Sequence, residues 1–228
     1  MLVSVLGDSI STFEFFNPKG YAVFYNEFKQ LQNGFTSVDE TWWEIVCRAM
    51  HAEICVNNSY SGSRVTGSGF PAASSTERCG ALHTRSRRPD MLLVYIGYND
   101  FGDGVKVYGE DTSGVTEDCS AFFDAYVCMV KRLQEQYPQA AIICGTLMRT
   151  YVRNSGWIFL EEYGGVPFDD YNEAIKSACR KTGCYLADTA ARGVRLETLD
   201  GFHPTAQGHG VFAQEWICCL RDLGFIRS

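Results

Sequence analysis

Short apolar runs, each cut off by glycine or a small polar residue, alternate along this chain with segments whose apolar positions recur at helical spacing. The first run, Met1 to Leu6, reads as a buried strand and stops at Gly7-Asp8-Ser9, where glycine permits a tight turn. Ala52 to Asn57 reads as a second strand and is followed by a Ser- and Gly-rich stretch from 61 to 69. Met91 to Ile96 is the strongest strand signal, a near-continuous apolar run that suits a central strand of a parallel sheet covered on both faces. Ala140 to Gly145 and Cys184 to Asp188 complete a set of five.

Between the strands, Ser37-Val38-Asp39-Glu40 fits a capping box that leads a helix through Trp42, Trp43, Ile45, Val46 and Met50. A second helix is expected from Thr116, with Glu117 and Asp118 in its first turn and a core-facing stripe of Phe122, Tyr126, Met129, Leu133 and Tyr137. A third runs from Asp169 or Asp170 to about Lys181. A fourth passes through Val211, Phe212, Trp216, Ile217 and Leu220, with Pro204 suited to its first turn. This alternation predicts an α/β fold of parallel βαβ units, one domain over residues 1–228. Long loops follow strands one, three and four, so they converge over Ser9 at the carboxyl edge of the sheet. One of them, Thr12 to Val38, is dense in aromatics and reads mostly as loop with one short helix. It either walls a pocket or packs over the sheet.

Composition narrows the classes. Of 228 residues 46% are hydrophobic and 21% charged, as in an ordinary globular protein. A net charge of −7 disfavours nucleic acid or an anionic membrane as partner. The one basic cluster, Arg85-Ser86-Arg87-Arg88, is expected to be a solvated helix end. No apolar run approaches the roughly 18 residues that span a bilayer, and the opening strand lacks the pattern of a secretory leader. A cytoplasmic location is the expectation. The ten cysteines contain no Cys-x-x-Cys pair, so they are expected to be buried reduced thiols rather than ligands of a structural metal.

Candidate chemistry begins with Ser9. A serine hydroxyl just past a strand's carboxyl end becomes a nucleophile only with a base, a group that orients the base, and oxyanion donors. His203 is the candidate base. It follows Asp200 by three residues, so the carboxylate can hold the imidazole in one tautomer. His51, His83 and His209 fall in or near helical patterns and read as structural. Gly62, with no side chain to block approach, Asn99 through its amide, and Ser9 through its own N–H are the candidate oxyanion donors. Each is typically worth roughly 3 kcal/mol in the transition state. Asn99 taken alone reads more readily as the closure of a turn.

Four segments then stand in order: Gly7-Asp8-Ser9-Ile10, Asn58-Ser59-Tyr60-Ser61-Gly62, Gly97-Tyr98-Asn99-Asp100 and Asp200-Gly201-Phe202-His203. Together they resemble the blocks of the SGNH branch of the GDSL hydrolases, with Ile10 where the first block usually has Leu. The resemblance implies a flavodoxin-like three-layer α/β/α sandwich with a five-stranded parallel sheet. It also implies Ser9 as nucleophile, His203 as base, Asp200 as third triad member, and an oxyanion hole of Ser9, Gly62 and Asn99, with no metal or organic cofactor. The expected partner is a small-molecule acyl ester, foremost an acetylated carbohydrate, with Asp8, Tyr98, Trp157 and Phe202 as candidate substrate contacts. A lysophospholipase or thioesterase acting on longer chains is the alternative, a silent binding module the third reading, and a homo-oligomer is left open.

Overall fold

The computed structural model of the 228-residue chain describes residues 1–109 and 119–226. From the amino end its elements are β1 (Leu2–Gly7), α1 (Glu27–Gln32), α2 (Trp42–Ala49), β2 (Glu53–Ser59), α3 (Thr76–Gly80), β3 (Met91–Tyr95), α4 (Tyr98–Gly102) and α5 (Phe122–Gln136). They continue with β4 (Ala141–Gly145), β5 (Thr150–Val152), β6 (Glu162–Tyr163), β7 (Val166–Pro167), α6 (Phe168–Thr182), β8 (Tyr185–Ala187), β9 (Leu196–Thr198) and α7 (Ala206–Asp222).

The five expected strands form one all-parallel sheet in the order β2-β1-β3-β4-β8. The order reverses at β1, and in open α/β sheets that switch point is where a crevice opens beyond the strand ends. β1 and β3 are covered on both faces, which is why both read as nearly unbroken apolar runs: Val3, Val5, Leu6 and every residue from Met91 to Ile96 are buried.

α2 and α7 pack together on one face, α5 and α6 on the other. On the first face Trp42 of α2 stacks on Trp216 of α7, centroids 5.2 Å apart and planes 16° from parallel, above Tyr95 of β3 and Phe212. On the second face Phe122 of α5 meets Tyr171 of α6 edge-on at 4.9 Å. Such aromatic pairs add about 0.5–1.5 kcal/mol to the area they bury. Among the described residues no helix is long and apolar enough to cross a membrane.

Several boundaries differ from the sequence expectation. The capping box at Ser37 and Glu40 is real but closes a single 3₁₀ turn, Val38–Glu40, and α2 begins only at Trp42. The Thr116 cap and its acidic first turn lie outside the described residues, and the described helix starts at Phe122. Pro204 is not in a helical turn. It pairs in extended form with Thr198, and Thr205 caps α7 by accepting from Gly208 N–H at 3.2 Å. The basic cluster is loop: Arg87 pairs with Glu53 at 2.7 Å and Arg88 donates to the Gln136 carbonyl. β5 and β9, three residues each, are too short to show a period, yet their parallel pairing holds the loop after β4 against the loop before α7.

Trp216 is fully buried in the α2–α7 seam. Trp216→Ala is expected to cost about 3–5 kcal/mol through lost burial and an unfilled cavity, read as a lower urea midpoint. Trp216→Phe should recover much of that loss.

Candidate active site

β1 delivers Ser9. After Gly7 the chain turns through one 3₁₀ turn, Ser9–Ser11, and the Asp8 side chain caps that turn by accepting from Ile10 N–H at 3.0 Å. Gly7 has to be glycine, because a Cβ there would come within 2.7 Å of Ser11 Oγ and 3.0 Å of Ser59 Oγ. Its carbonyl accepts from Tyr60 N–H and from the guanidinium of Arg78. Arg78 itself is buried and donates also to Asn58 Oδ1, the Asn58 carbonyl and the Pro71 carbonyl, tying the ends of β1 and β2 to the segment that carries Gly62. Burial draws its pKa down to about 10, which still leaves it charged at neutral pH.

From the other end of the chain, the loop before α7 brings His203 to the serine. His203 Nε2 lies 2.9 Å from Ser9 Oγ and His203 Nδ1 lies 2.8 Å from Asp200 Oδ2. The second Asp200 oxygen accepts from the backbone N–H groups of Phe202 and His203, so one carboxylate both folds its loop and orients the ring. Burial pushes the Asp200 carboxyl up, but its bonds to His203 and to those two amides outweigh it and hold the group at about 2. Ser9 is 8% exposed, whereas Asp8 and Ser11 beside it are fully enclosed.

The third corner is the Gly62 loop. Gly62 has φ +81°, a conformation that favours glycine, and a Cβ on it would face open space. Asn99, at the start of α4, donates one side-chain N–H to the Ser63 carbonyl at 2.9 Å. Its neighbour Asp100 accepts from Val65 N–H at 2.7 Å, Thr66 N–H at 3.0 Å and Thr66 Oγ at 2.8 Å. The two adjacent side chains thus clamp the loop after β2 onto the loop after β3. Burial raises Asp100 to about 6 against the pull of those donors.

The site therefore unites Ser9, Asp200 and His203, and fixes Asn99 against the residue that follows Gly62. Two expected substrate contacts are corrected. Asp8 is fully enclosed, its side chain spent on the turn, because the residue before Ser9 points back into the sheet. Tyr98 is almost enclosed between Tyr95 and Phe168. Phe202, 44% exposed beside His203, and Trp157, which lies over Gly201, flank the base.

The molecule is also comparable with known proteins at this point. The profile of the GDSL-like lipase/acylhydrolase family matches residues 1–155. The chain belongs to that family. Its fold is similar to that of a Bacteroides ovatus protein described as a GDSL-like lipase, at 23% identity and TM-score 0.74 over 97% of this chain and 98% of that one. A Bacteroides uniformis counterpart gives 26%, 0.72, 98% and 95%. Est24, a carbohydrate acetylesterase from Sinorhizobium meliloti, gives 12%, 0.62, 97% and 99%. No protein of curated function matches the sequence. Membership makes the chain an esterase that acts on small-molecule esters.

This GDSL esterase supports its imidazole with residues the sequence reading did not assign. Phe24 stacks flat on His203, centroids 3.4 Å apart and planes 8° from parallel, and its own N–H donates to Thr12 Oγ, which donates to the Ser9 carbonyl. Tyr25 donates to the Pro204 carbonyl at 2.7 Å. His209 accepts from Trp42 N–H through Nδ1, which assigns the proton to Nε2 and makes it the donor to Tyr25 at 3.2 Å. Burial, then the charge of His203, lowers the His209 pKa to about 3, so it stays neutral in this role.

Asp8 carries an electrostatic load. Burial, with a further push from Asp100, raises it to about 7 against the Ile10 N–H and Arg78, and its second oxygen makes no well-formed hydrogen bond among the described residues. A carboxyl raised in the folded state holds a proton that the unfolded chain releases, so its contribution falls as pH rises from about 4 to about 7. His209, lowered, acts in the opposite direction between about pH 3 and 6.5, and the wild-type trend alone mixes the two. The difference between proteins separates them. Asp8→Asn is expected to gain stability over wild type steadily from pH 4 to 7, by up to about 4 kcal/mol, and then level off. Urea unfolding of both proteins across that range checks it, and a pH-independent difference refutes the buried titration.

Proposed function

We propose that this esterase works by double displacement at Ser9, with short acyl esters of carbohydrates as substrates. The observation that carries the mechanism is the continuous chain Ser9 Oγ to His203 Nε2 at 2.9 Å and His203 Nδ1 to Asp200 at 2.8 Å. Ser9 Oγ attacks the ester carbonyl as His203 Nε2 takes its proton, and Asp200 balances the imidazolium that forms. The oxyanion accepts from Ser9 N–H, Gly62 N–H and the Asn99 side-chain N–H that is not engaged with Ser63. His203 then protonates the departing alcohol. In the second half it activates water, which releases the acid and regenerates the serine.

The choice of a polar alcohol rests on the walls beside the Gly62 loop. A depression there is lined by Ser63, Arg64, Thr66 and Asp103, with Arg64 and Asp103 paired at 3.2 Å. Such hydroxyl and charged groups suit the hydroxyls of a sugar ring, and Trp157 and Phe202 offer aromatic faces near the base. Est24 supports the same reading by fold likeness. Longer acyl chains have one observation in their favour, the exposed aromatics Phe15, Phe16 and Phe70 on the surface of the molecule.

Ser9→Ala is expected to abolish turnover and fluorophosphonate labelling with an unchanged circular dichroism spectrum. Residual steady-state hydrolysis at the wild-type rate would exclude Ser9. Asn99→Ala should lower kcat by about 10²–10³ while KM changes little. On nitrophenyl esters the rate should drop by more than about tenfold from acetate to octanoate. A rate that holds or rises with chain length would favour the lipid-directed reading, and acetylated sugars assayed directly would test the alcohol.

A further inference from the structure

Two strands away from β1, where β4 and the edge strand β8 meet α6, three cysteines converge. Cys144 is near the end of β4, Cys179 in the last turn of α6, and Cys184 immediately before β8. Their sulfurs all lie within 4.8 Å of one another, and those of Cys144 and Cys184 are 3.8 Å apart. Cys144 and Cys179 are buried, while Cys184 is partly open and lines a surface cavity with Gly183, Tyr185 and Gln134. Among the described residues no other group of three or more His, Cys, Asp or Glu side chains brings its ligand atoms together in this way.

The spacing has a chemical meaning. A cation bound to thiolates at about 2.3 Å sets its sulfurs about 3.8–4.0 Å apart. One pair is already at that separation, and no pair among the three exceeds it by more than about 1 Å. A second, independent observation points at the same place. The Tyr126 hydroxyl on α5 is fully buried beside the three cysteines, Cys144 foremost, and makes no well-formed hydrogen bond among the described residues. A neutral thiol is a poor acceptor for that O–H, whereas a thiolate is a strong one. The orphan donor is therefore aimed where negative charge would gather.

We propose that Cys144, Cys179 and Cys184 bind one soft d¹⁰ cation, Zn(II) or Cu(I), through three thiolates, with Tyr126 donating to the cluster. Binding forms three metal–sulfur bonds and releases the thiol protons to solvent. Thr182 Oγ lies 3.5 Å from the Cys184 sulfur and can donate to it when it carries charge. Thiolate ligands select soft ions over Mg(II) or Ca(II). The opening beside Cys184 gives the ion a way in.

The test uses the reduced, folded, full-length protein and Cd(II) as the optical probe, followed by competition with Zn(II) and with Cu(I) under anaerobic conditions. One equivalent should bind with a thiolate-to-metal charge-transfer band, and the better competitor names the ion. Cys184→Ser should weaken binding by about 100-fold and Tyr126→Phe by about tenfold. Cys218→Ser, a cysteine outside the cluster, should titrate as wild type, and circular dichroism with fluorophosphonate labelling of Ser9 reports that each variant folds. Should Cys184→Ser not fold, Cys179→Ser and Tyr126→Phe decide. The proposal is overturned by a folded wild type that gives no band, by binding that is indifferent to these substitutions, or by mass analysis that finds a Cys144–Cys184 disulfide in the native protein.

Discussion

The hydrogen bond between Ser9 Oγ and His203 Nε2 joins side chains 194 residues apart, and most of the polar construction in this fold serves to hold its two ends. Closing so long a loop costs little more entropy than closing a short one. Placing its ends to within a fraction of an ångström is the harder requirement, because a misplacement of about 1 Å can cost two orders of magnitude in rate. Ser9 is held from its own side by β1, which is paired on both edges, by the Asp8 cap and by Arg78 on the Gly7 carbonyl. His203 is held separately. Thr150 Oγ donates to the Gly201 carbonyl, Gly201 N–H donates to Thr198 Oγ, Thr205 donates to Glu197, and Tyr25 fixes the Pro204 carbonyl. The two ends are also tied to each other, since Thr12 joins the Ser9 carbonyl to Phe24 N–H and Phe24 stacks on His203.

Those ends come with buried ionisable groups. Asp8, Arg78 and Asp100 are all fully enclosed at the carboxyl edge of the sheet. Asp100 has three donors that compensate its burial, and each keeps the Gly62 loop in position. Asp8 is compensated less well, since one oxygen caps the turn at Ser9 while the other goes without a good partner. A buried polar group so poorly satisfied costs stability. What it secures is the direction in which Ser9 leaves the strand, and a functional site is where such a cost is tolerated.

Ser9, Asp200 and His203 were legible in the sequence because their signals are local: a small-residue turn after an apolar run, and an acid three residues before a histidine at the start of a helix. The sheet was legible for the same reason, each strand being one short apolar run. The support around His203 was not. Tyr25 reaches Pro204 and His209 across 179 and 184 residues, and no periodicity within a segment encodes a contact at that distance. His209 did read as structural, but which groups its two nitrogens join depends on how α2 and the Tyr25 loop pack. Asp8 and Tyr98 were misplaced by adjacency. Standing next to a site residue in sequence says little about which way a side chain faces when the backbone turns sharply between the two.

The aromatic segment between β1 and α2 admits two readings from sequence, and its side chains divide between burial and exposure. Phe13, Tyr25 and Phe35 are buried and pack edge to face beneath the base, whereas Phe15, 92% exposed, and Phe16 face outward. Phe24 lies at the boundary, one residue from the core and flat against the imidazole. The stretch that packs against His203 is thus continuous with an outward-facing aromatic surface, where Phe15 and Phe16 line a cavity with Ile54, Cys55 and His83. Packing beneath His203 constrains the inner residues, and Phe16 still touches Phe13 and Trp43, whereas Phe15 stands out in solvent. Phe15 can therefore vary while the geometry at Ser9 is preserved, because its side chain stands outside the packing that positions His203.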